Sequence, residues 1–589
     1  FEQNPWGWAG KLSGWHMNDA KILTQCAKTY DAIRRSPSLN EKQRSHIEEN
    51  LFRLGGKMLT AVRPLQGISN DGAYRYGGVA IIGRLLQDDD ILSWVLNDKD
   101  GYAVYIDKLF YEDGAWHERS LSYHDMLCES LYLAPYYLDG YKGIRLRDIP
   151  KLQDIYSLPF RMRFPDGTLP PVNDSRWGEK PRSSAIEGMY ALSGADKWLA
   201  YLNETYAGEL ESNGSRFALF NRPSDIRERL GVLNVDVPVP ENSEDFTGMG
   251  LFMLRRGVGD KRSVFTLHHH KYANTHSHYD ALSVILFADG REMLCDIGYP
   301  LFGVRQRTTW HTASLSHNTL TVDTMNQRAP NGVANFLHDG DLFTASEAES
   351  WDSYRFICEP FMRQIALVDT DDGQPYAVDV FRGGGGNIHD WALHGEGSAF
   401  DIDEVELNAV EHFEGKDYAY EEVSDVRTGK TSDSWQASWG WDDGALLNVH
   451  MAEQADSQVF VTQSPGQRLR EQHDRKIHSL FVRREGENIR SAFAAAYGPS
   501  RNGTIIKSIE RMEESSEADW ALVLKVELEG ATDYILTSYI DIAPLGKHFV
   551  DGNVDIPWES RFGIVRVKNG KIVRTEWVHA KSEGLAHDI

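Results

Sequence analysis

Cysteine is scarce in this chain. Four are spread over 589 residues, at Cys26, Cys128, Cys295 and Cys358, with no CxxC spacing, so a disulfide framework is excluded. Long hydrophobic runs are also missing. None approaches the roughly 18 residues a membrane helix needs, so no helical membrane span is expected. Positive charge is in deficit: 62 Lys and Arg face 87 Asp and Glu, a net charge of −25. With no basic stripe and no recognised binding motif, nucleic acid is not expected as a partner. Internal repeats and low-complexity segments are lacking as well.

What is present is an ordinary globular composition, 41% hydrophobic and 25% charged, which excludes intrinsic disorder. The length points to several domains. Aromatic residues reach 11%, with 16 Trp and 25 Tyr, a richness that suits sugar stacking and equally suits a large core. The acidity is uneven. Residues 1–240 hold 29 basic against 32 acidic side chains, and residues 241–589 hold 33 against 55. A polyanionic ligand is therefore still admissible at the near-neutral N-terminal part, given local Arg and Lys. The chain opens on Phe1 rather than Met, the pattern of a mature exported protein after signal-peptide removal or of a trimmed product. A periplasmic or secreted location is the expectation.

Residues from about Asn18 to Arg229 read as helical. Ile47, Leu51, Leu54, Met58 and Leu59 recur at three- and four-residue spacing and predict a helix over Glu41–Val62, with Ser38 in the cap region and Pro64 as its stop. Ala73–Leu96 and Ser122–Leu138 repeat the pattern, which suggests stacked helical hairpins. Gly231–Phe246, with its Val-Asp-Val-Pro-Val-Pro run, reads as a linker. Short β-branched and aromatic segments follow: Ser263–His268, Leu282–Ala288, Thr319–Val322, Ala377–Phe381 and Ile477–Arg483. Turn signals at Ala288-Asp289-Gly290, Asp371-Asp372-Gly373 and Lys568-Asn569-Gly570 separate strands of what reads as a large antiparallel β region.

The densest chemical signal is His276-Ser277-His278-Tyr279-Asp280. Alternation along an extended segment sends His276 and His278 to one face. Asp296 ends the returning strand, and His317 sits in Ser316-His317-Asn318-Thr319. Two imidazoles and a carboxylate are an ordinary ligand set for a divalent transition ion, most often zinc. Histidines on a strand surface are the plainer alternative. In the helical half, Trp116–His124 crowds polar groups before an apolar helix, where Ser120 or Ser122 suits an N-cap. Ile68–Gly72 and Pro171–Gly178 are polar loops of the same kind.

Taken together these segments resemble the heparinase II/III-like polysaccharide lyases, which include glycosaminoglycan and alginate lyases. The resemblance runs over nearly the whole chain. It is strongest in Thr275–Asp280 through Asp296-Ile297-Gly298, and in Ser316–Asp323. Glu118–His124 is similar to the family's catalytic tyrosine segment, and Asn70 precedes Tyr123 by 53 residues, close to the family's spacing.

The resemblance implies a multidomain α+β fold: an incomplete (α/α) toroid over 1–235, an antiparallel β-sandwich over 236–490 carrying His276 and the metal site, and a C-terminal β portion over 491–589, with the active cleft between helical and β parts. It implies β-elimination on a uronic acid within an acidic polysaccharide, a glycosaminoglycan such as hyaluronan, chondroitin or heparan sulfate, or alternatively alginate. Asn70, with His124, would neutralise the uronate carboxylate; Tyr123 would act as acid and for some epimers as base; His276 would be the other base. His278, Asp296 and His317 would hold one structural divalent metal, zinc by ligand type, with manganese or calcium as alternatives. Arg75, Arg119, Asn173, Arg176 and Trp177 would line the substrate path. Two competing readings are a toroid glycoside hydrolase, which needs a carboxylate pair that does not stand out, and a non-catalytic carbohydrate-binding protein.

Overall fold

The computed structural model describes residues 12–578 except 14–15, 62–69, 210–212, 216–221, 223–224, 234–236, 238, 273–275, 301–302, 502, 514, 516–519 and 540–545. Val62, Pro64, Ile68, Ser69 and Thr275, singled out above, lie outside the described residues, as does part of the Gly231–Phe246 linker. The chain divides into two compact units, one of residues 1–163 and 179–240, the other of residues 164–178 and 241–589.

The first unit is helical: α1 (His16–Ile33), α2 (Glu41–Ile47), α3 (Leu54–Thr60), α4 (Asp71–Leu86), α5 (Asp89–Val95), α6 (Tyr102–Leu109), α7 (Leu121–Leu131), α8 (Leu133–Leu138), α9 (Lys151–Met162), α10 (Ser183–Ser193), α11 (Asp196–Thr205) and α12 (Ile226–Gly231). Helix α4 is apolar on nearly all sides and is accordingly buried among α1, α3, α5, α7 and α8. Its glycines make that possible. A Cβ at Gly77 would lie 2.9 Å from Leu133 Cδ1, and one at Gly83 would lie 2.7 Å from Leu92 Cδ2.

The helix expected over Glu41–Val62 is α2 and α3 joined by a π-helical stretch, Glu48–Arg53. Its cap is Asn40 rather than Ser38: Asn40 Oδ1 accepts from Gln43 N, and Gln43 Oε1 accepts from Asn40 N, a reciprocal capping box. The helix expected over Ala73–Leu96 breaks at Gln87, which takes a left-handed φ of 51°, and Asp88 caps α5 by accepting from Asp90 N and Ile91 N.

The second unit is antiparallel throughout. Strands β1 (Glu244–Phe246), β2 (Leu251–Arg256), β3 (Ser263–His268), β4 (Val284–Ala288) and β5 (Arg291–Leu294) form a meander. Between β4 and β5, Asp289 and Gly290 have φ of 51° and 73°, the mirror-image turn that matches strand twist. A six-stranded sheet includes β6 (Leu320–Val322) at its edge beside strand Ile388–Gly395. An eight-stranded sheet is centred on strands Tyr376–Gly384 and Arg490–Ser500. Period-two alternation gives this sheet two apolar faces. Ala377, Phe381, Phe493 and Tyr497 enter one core with Phe265, Trp391 and Trp439. Val378, Val380, Ala494 and Ala496 enter another with Leu522, Leu524, Ile535 and Ile564 of the C-terminal five-stranded sheet.

Candidate active site and metal-ligating histidines

The second unit gathers its chemistry around a loop that comes from far away in sequence. Asn173 adopts φ of 53°, and its Oδ1 accepts from His278 N at 3.1 Å. The next residue, Asp174, is fully buried and meets three cationic or imidazole groups: His276 Nδ1 at 2.7 Å, His278 Nε2 at 3.1 Å and the Arg307 guanidinium at 2.6 Å. Burial alone would raise its pKa. The hydrogen bonds from His276 and His278 and the charge of Arg307 outweigh burial and hold it well below the usual carboxylate range. His276 and His278 do share a face, since both rings reach one carboxylate.

His276 retains partial solvent access, whereas His278 is buried and its Nδ1 has no hydrogen-bond partner. That orphaned donor atom belongs to a compact group, His278, Asp280 and His317, whose ligating atoms lie within 4.8 Å of one another. The set fits a divalent ion and shares His278 and His317 with the expected one. Asp296, the carboxylate expected as ligand, adjoins the group and hydrogen-bonds His317 Nδ1 at 3.0 Å, with Asp280 Oδ2 at 3.9 Å from the same nitrogen. Residues 276–280 form no strand, and Leu282, at φ of 61°, reverses the chain toward β3. Burial works against a charged His317, yet the Asp296 and Asp280 carboxylates overcome it and push its pKa up to about 9. His311, buried with both ring nitrogens unpartnered, is pushed down to about 3 by burial and by nearby His278 and Arg307.

Other expected residues line this region or turn away from it. Arg176 and Trp177 are exposed; Arg176 lies over the Tyr299 ring at 5.9 Å, and Arg468 lies over Trp177 at 5.2 Å. Asn173 is internal, committed to the His278 backbone.

In the first unit, Tyr123 is half-buried in the first turn of α7, where Ser120 Oγ accepts from its backbone N–H at 3.3 Å. Asn70 occupies the N-cap position of α4, but its side chain caps nothing. Three residues expected at the substrate turn inward instead. His124 is wholly buried, with Nε2 2.9 Å from the Ile155 carbonyl and its pKa lowered to about 4 by burial. Arg75 is buried, donates to the Leu59 carbonyl at 2.5 Å and lies over Trp94. Arg119, at φ of 56°, donates to Tyr111 Oη at 2.6 Å. Aromatic faces and carbonyls satisfy these groups internally, which residue type alone does not reveal.

Asp174, Arg307, Asp280 and His311 are the residues that sequence reasoning leaves without a role. Asp174 and Asp280 both lie inside the polar segments singled out above; nothing local marks Arg307 or His311.

Residues 238–364 match the family model described as Heparinase II/III-like, C-terminal. The chain is 22% identical, over 94% of its length and 75% of the relative's, to an exo-oligoalginate lyase of Saccharophagus degradans (strain 2-40). Among solved structures it resembles the heparan sulfate lyase of Pedobacter heparinus, with a TM-score of 0.62 and 14% identity over 89% of this chain and 74% of that one. A heparinase III structure matches with a TM-score of 0.64 and 14% identity, covering 91% and 77% of the two chains.

Proposed function

We propose that the chain is a heparinase II/III-like polysaccharide lyase that cleaves a uronic-acid-containing polysaccharide by β-elimination, leaving an unsaturated uronate at the new end. The observation that carries the reading is His276 on Asp174. A buried carboxylate 2.7 Å from Nδ1 assigns the ring's proton to that nitrogen, so Nε2 is the atom that accepts one.

The reaction sets the remaining requirements. The C5 proton of a uronate is too weakly acidic to leave until the adjacent carboxylate is neutralised. The Asn70 amide, uncommitted to capping, suits that task. His276 Nε2 takes the C5 proton, the C4–O4 bond breaks as the C4–C5 double bond forms, and Tyr123 Oη protonates the departing O4. A divalent ion on His278, Asp280 and His317 would supply structural cross-linking between the 276–282 loop and the segment leading into β6. The associated fold proposal is that the first unit's helices form an incomplete (α/α) toroid.

Glycosaminoglycans and alginate both carry the reactive uronate. The 22% identity to an exo-oligoalginate lyase along 94% of the chain favours alginate oligosaccharides, with glycosaminoglycans second. A polymer substrate also goes with a periplasmic or secreted location. Incubation with alginate, hyaluronan, chondroitin and heparan sulfate, each as polymer and as oligosaccharides, decides among these. Ultraviolet absorbance from a new conjugated double bond marks the substrate. Reducing ends without absorbance would mean a hydrolase, and no product from any of these polymers or oligosaccharides would overturn the reading.

A further inference from the structure

Strand β3 runs into His268-His269-His270, a histidine run for which β-elimination has no use. Alternation turns His269 one way, onto Asp245 Oδ1 at 2.8 Å, and His268 and His270 the other way. Those two rings stack with centroids 4.1 Å apart and planes 26° apart. Both reach Asp280: His268 Nδ1 lies 3.0 Å from Oδ2, and His270 Nε2 lies 3.4 Å from Oδ1.

Two features separate this trio from an ordinary hydrogen-bond network. The first is the company Asp280 keeps. It is fully buried, and among the described residues its carboxylate has only histidines as side-chain partners, His268, His270 and His317; no arginine, lysine or hydroxyl meets it. A buried carboxylate demands a cation, and a divalent ion held by the His268 and His270 imidazoles supplies one. The second is spacing. One ligand atom from each of His268, His270 and Asp280 lies within 4.8 Å of the other two, close enough to converge on a single ion.

The backbone presets the arrangement. Gly250 sits at φ of 70° so close that a Cβ there would lie 2.3 Å from His270 Cα. Leu282 N donates to the His268 carbonyl at 2.7 Å, closing the loop that carries Asp280.

We propose that His268, His270 and Asp280 form a second divalent transition-metal site of the zinc class, with Asp280 shared between it and the His278–His317 pair. The ion pins the end of β3 to the 276–282 loop. The inference rests on this geometry and not on the lyase reading, and its test uses no substrate. The full chain is stripped with chelator, reloaded with zinc, dialysed, and assayed for zinc per protein by mass spectrometry. The H268A/H270A variant is expected to hold one equivalent less than the wild type. The H278A variant is expected to keep the ion at the trio. Equal zinc content in the wild type and a folded H268A/H270A variant would overturn the proposal. Should that variant fail to fold, anomalous diffraction at the zinc edge from wild-type crystals replaces it. A peak within bonding reach of His268 and His270 supports the site, and no peak there overturns it.

Discussion

At the scale of single residues, His276 and Tyr123 illustrate two kinds of placement. His276 is defined by a partner 102 residues away, Asp174, which also holds His278 and the Arg307 guanidinium. Replacing Asp174 with Asn keeps the size but removes the charge and leaves one acceptor oxygen where the carboxylate offers His276 and His278 one each. We expect Asp174→Asn to lower kcat by at least about 10-fold with KM little changed, since orientation of the base rather than binding is lost. Steady-state kinetics on the accepted polymer measure the split, and a rise in KM alone would make Asp174 a binding residue. Tyr123 sits in a helix first turn whose geometry is local, with Ser120 as cap. If its hydroxyl protonates O4, Tyr123→Phe should cut kcat by at least about 10²-fold with folding unchanged by circular dichroism. Near-normal turnover would remove it from the reaction.

At the scale of elements, the eight-stranded sheet reaches toward the histidine loops through one buried side chain. Arg363 pairs with Asp379 of the adjacent strand at 2.7 and 2.5 Å, and its remaining guanidinium N–H groups donate to the carbonyls of Leu282 and Asn318. Leu282 and Asn318 flank Asp280 and His317 in the chain, so a sheet residue anchors both segments of the candidate metal group. Tyr497 completes the Asp379 shell at 2.6 Å. Both charges are fully buried, and removing one partner strands the other. Asp379→Ala should destabilise the β unit by about 3–5 kcal/mol, measured by urea unfolding. A loss below about 1 kcal/mol would mean that the cavity admits water enough to solvate Arg363.

At the scale of the whole molecule, acid sensitivity follows from histidines that both units bury neutral. Burial pushes His124, His389 and His450 down to about 4 from the ordinary 6.5. Between those values the unfolded chain binds protons that the folded chain refuses, so stability is present above pH 6.5 and is lost as pH falls toward 4. Each histidine that stays neutral contributes a slope of up to about 1.4 kcal/mol per pH unit. Asp125 acts in the opposite sense. Burial raises its pKa to about 7, against the pull of Arg182, so it weakens the fold as pH rises from about 4 to 7. His311 and His394, pushed down to about 3 by burial, act with these histidines, and Glu292, raised to about 7 by burial, acts with Asp125. The histidines outnumber the two carboxyl groups, so the melting temperature should drop from pH 6.5 to 4 by calorimetry, and the triple variant His124→Gln, His389→Gln, His450→Gln should make that limb shallower. An unchanged limb would place the acid sensitivity elsewhere.

The sequence by itself determined what depends on near neighbours. Helical and strand periodicities located the two kinds of architecture, Ser263–His268 agrees residue for residue with β3, and Asp289-Gly290 and Asn569-Gly570 marked turns that need positive φ. His276 and His278 do meet one carboxylate, but Asp174 brings them together rather than strand alternation, since residues 276–280 form no strand. Boundaries set by caps were less so, because Asn40 and Asp88 compete with other capable residues a step or two away. Only the tertiary structure decided which charges meet. It brought Asp174 to His276, put Asp280 among His268, His270 and His317, moved Asp296 onto His317, and folded Arg75, Arg119 and His124 inward. A turn or a helix is stabilised by groups within about four residues, so residue order specifies it. An imidazole–carboxylate pair depends on a separation of about 3 Å in space, and here that separation is set by loops and sheets that close across about a hundred residues.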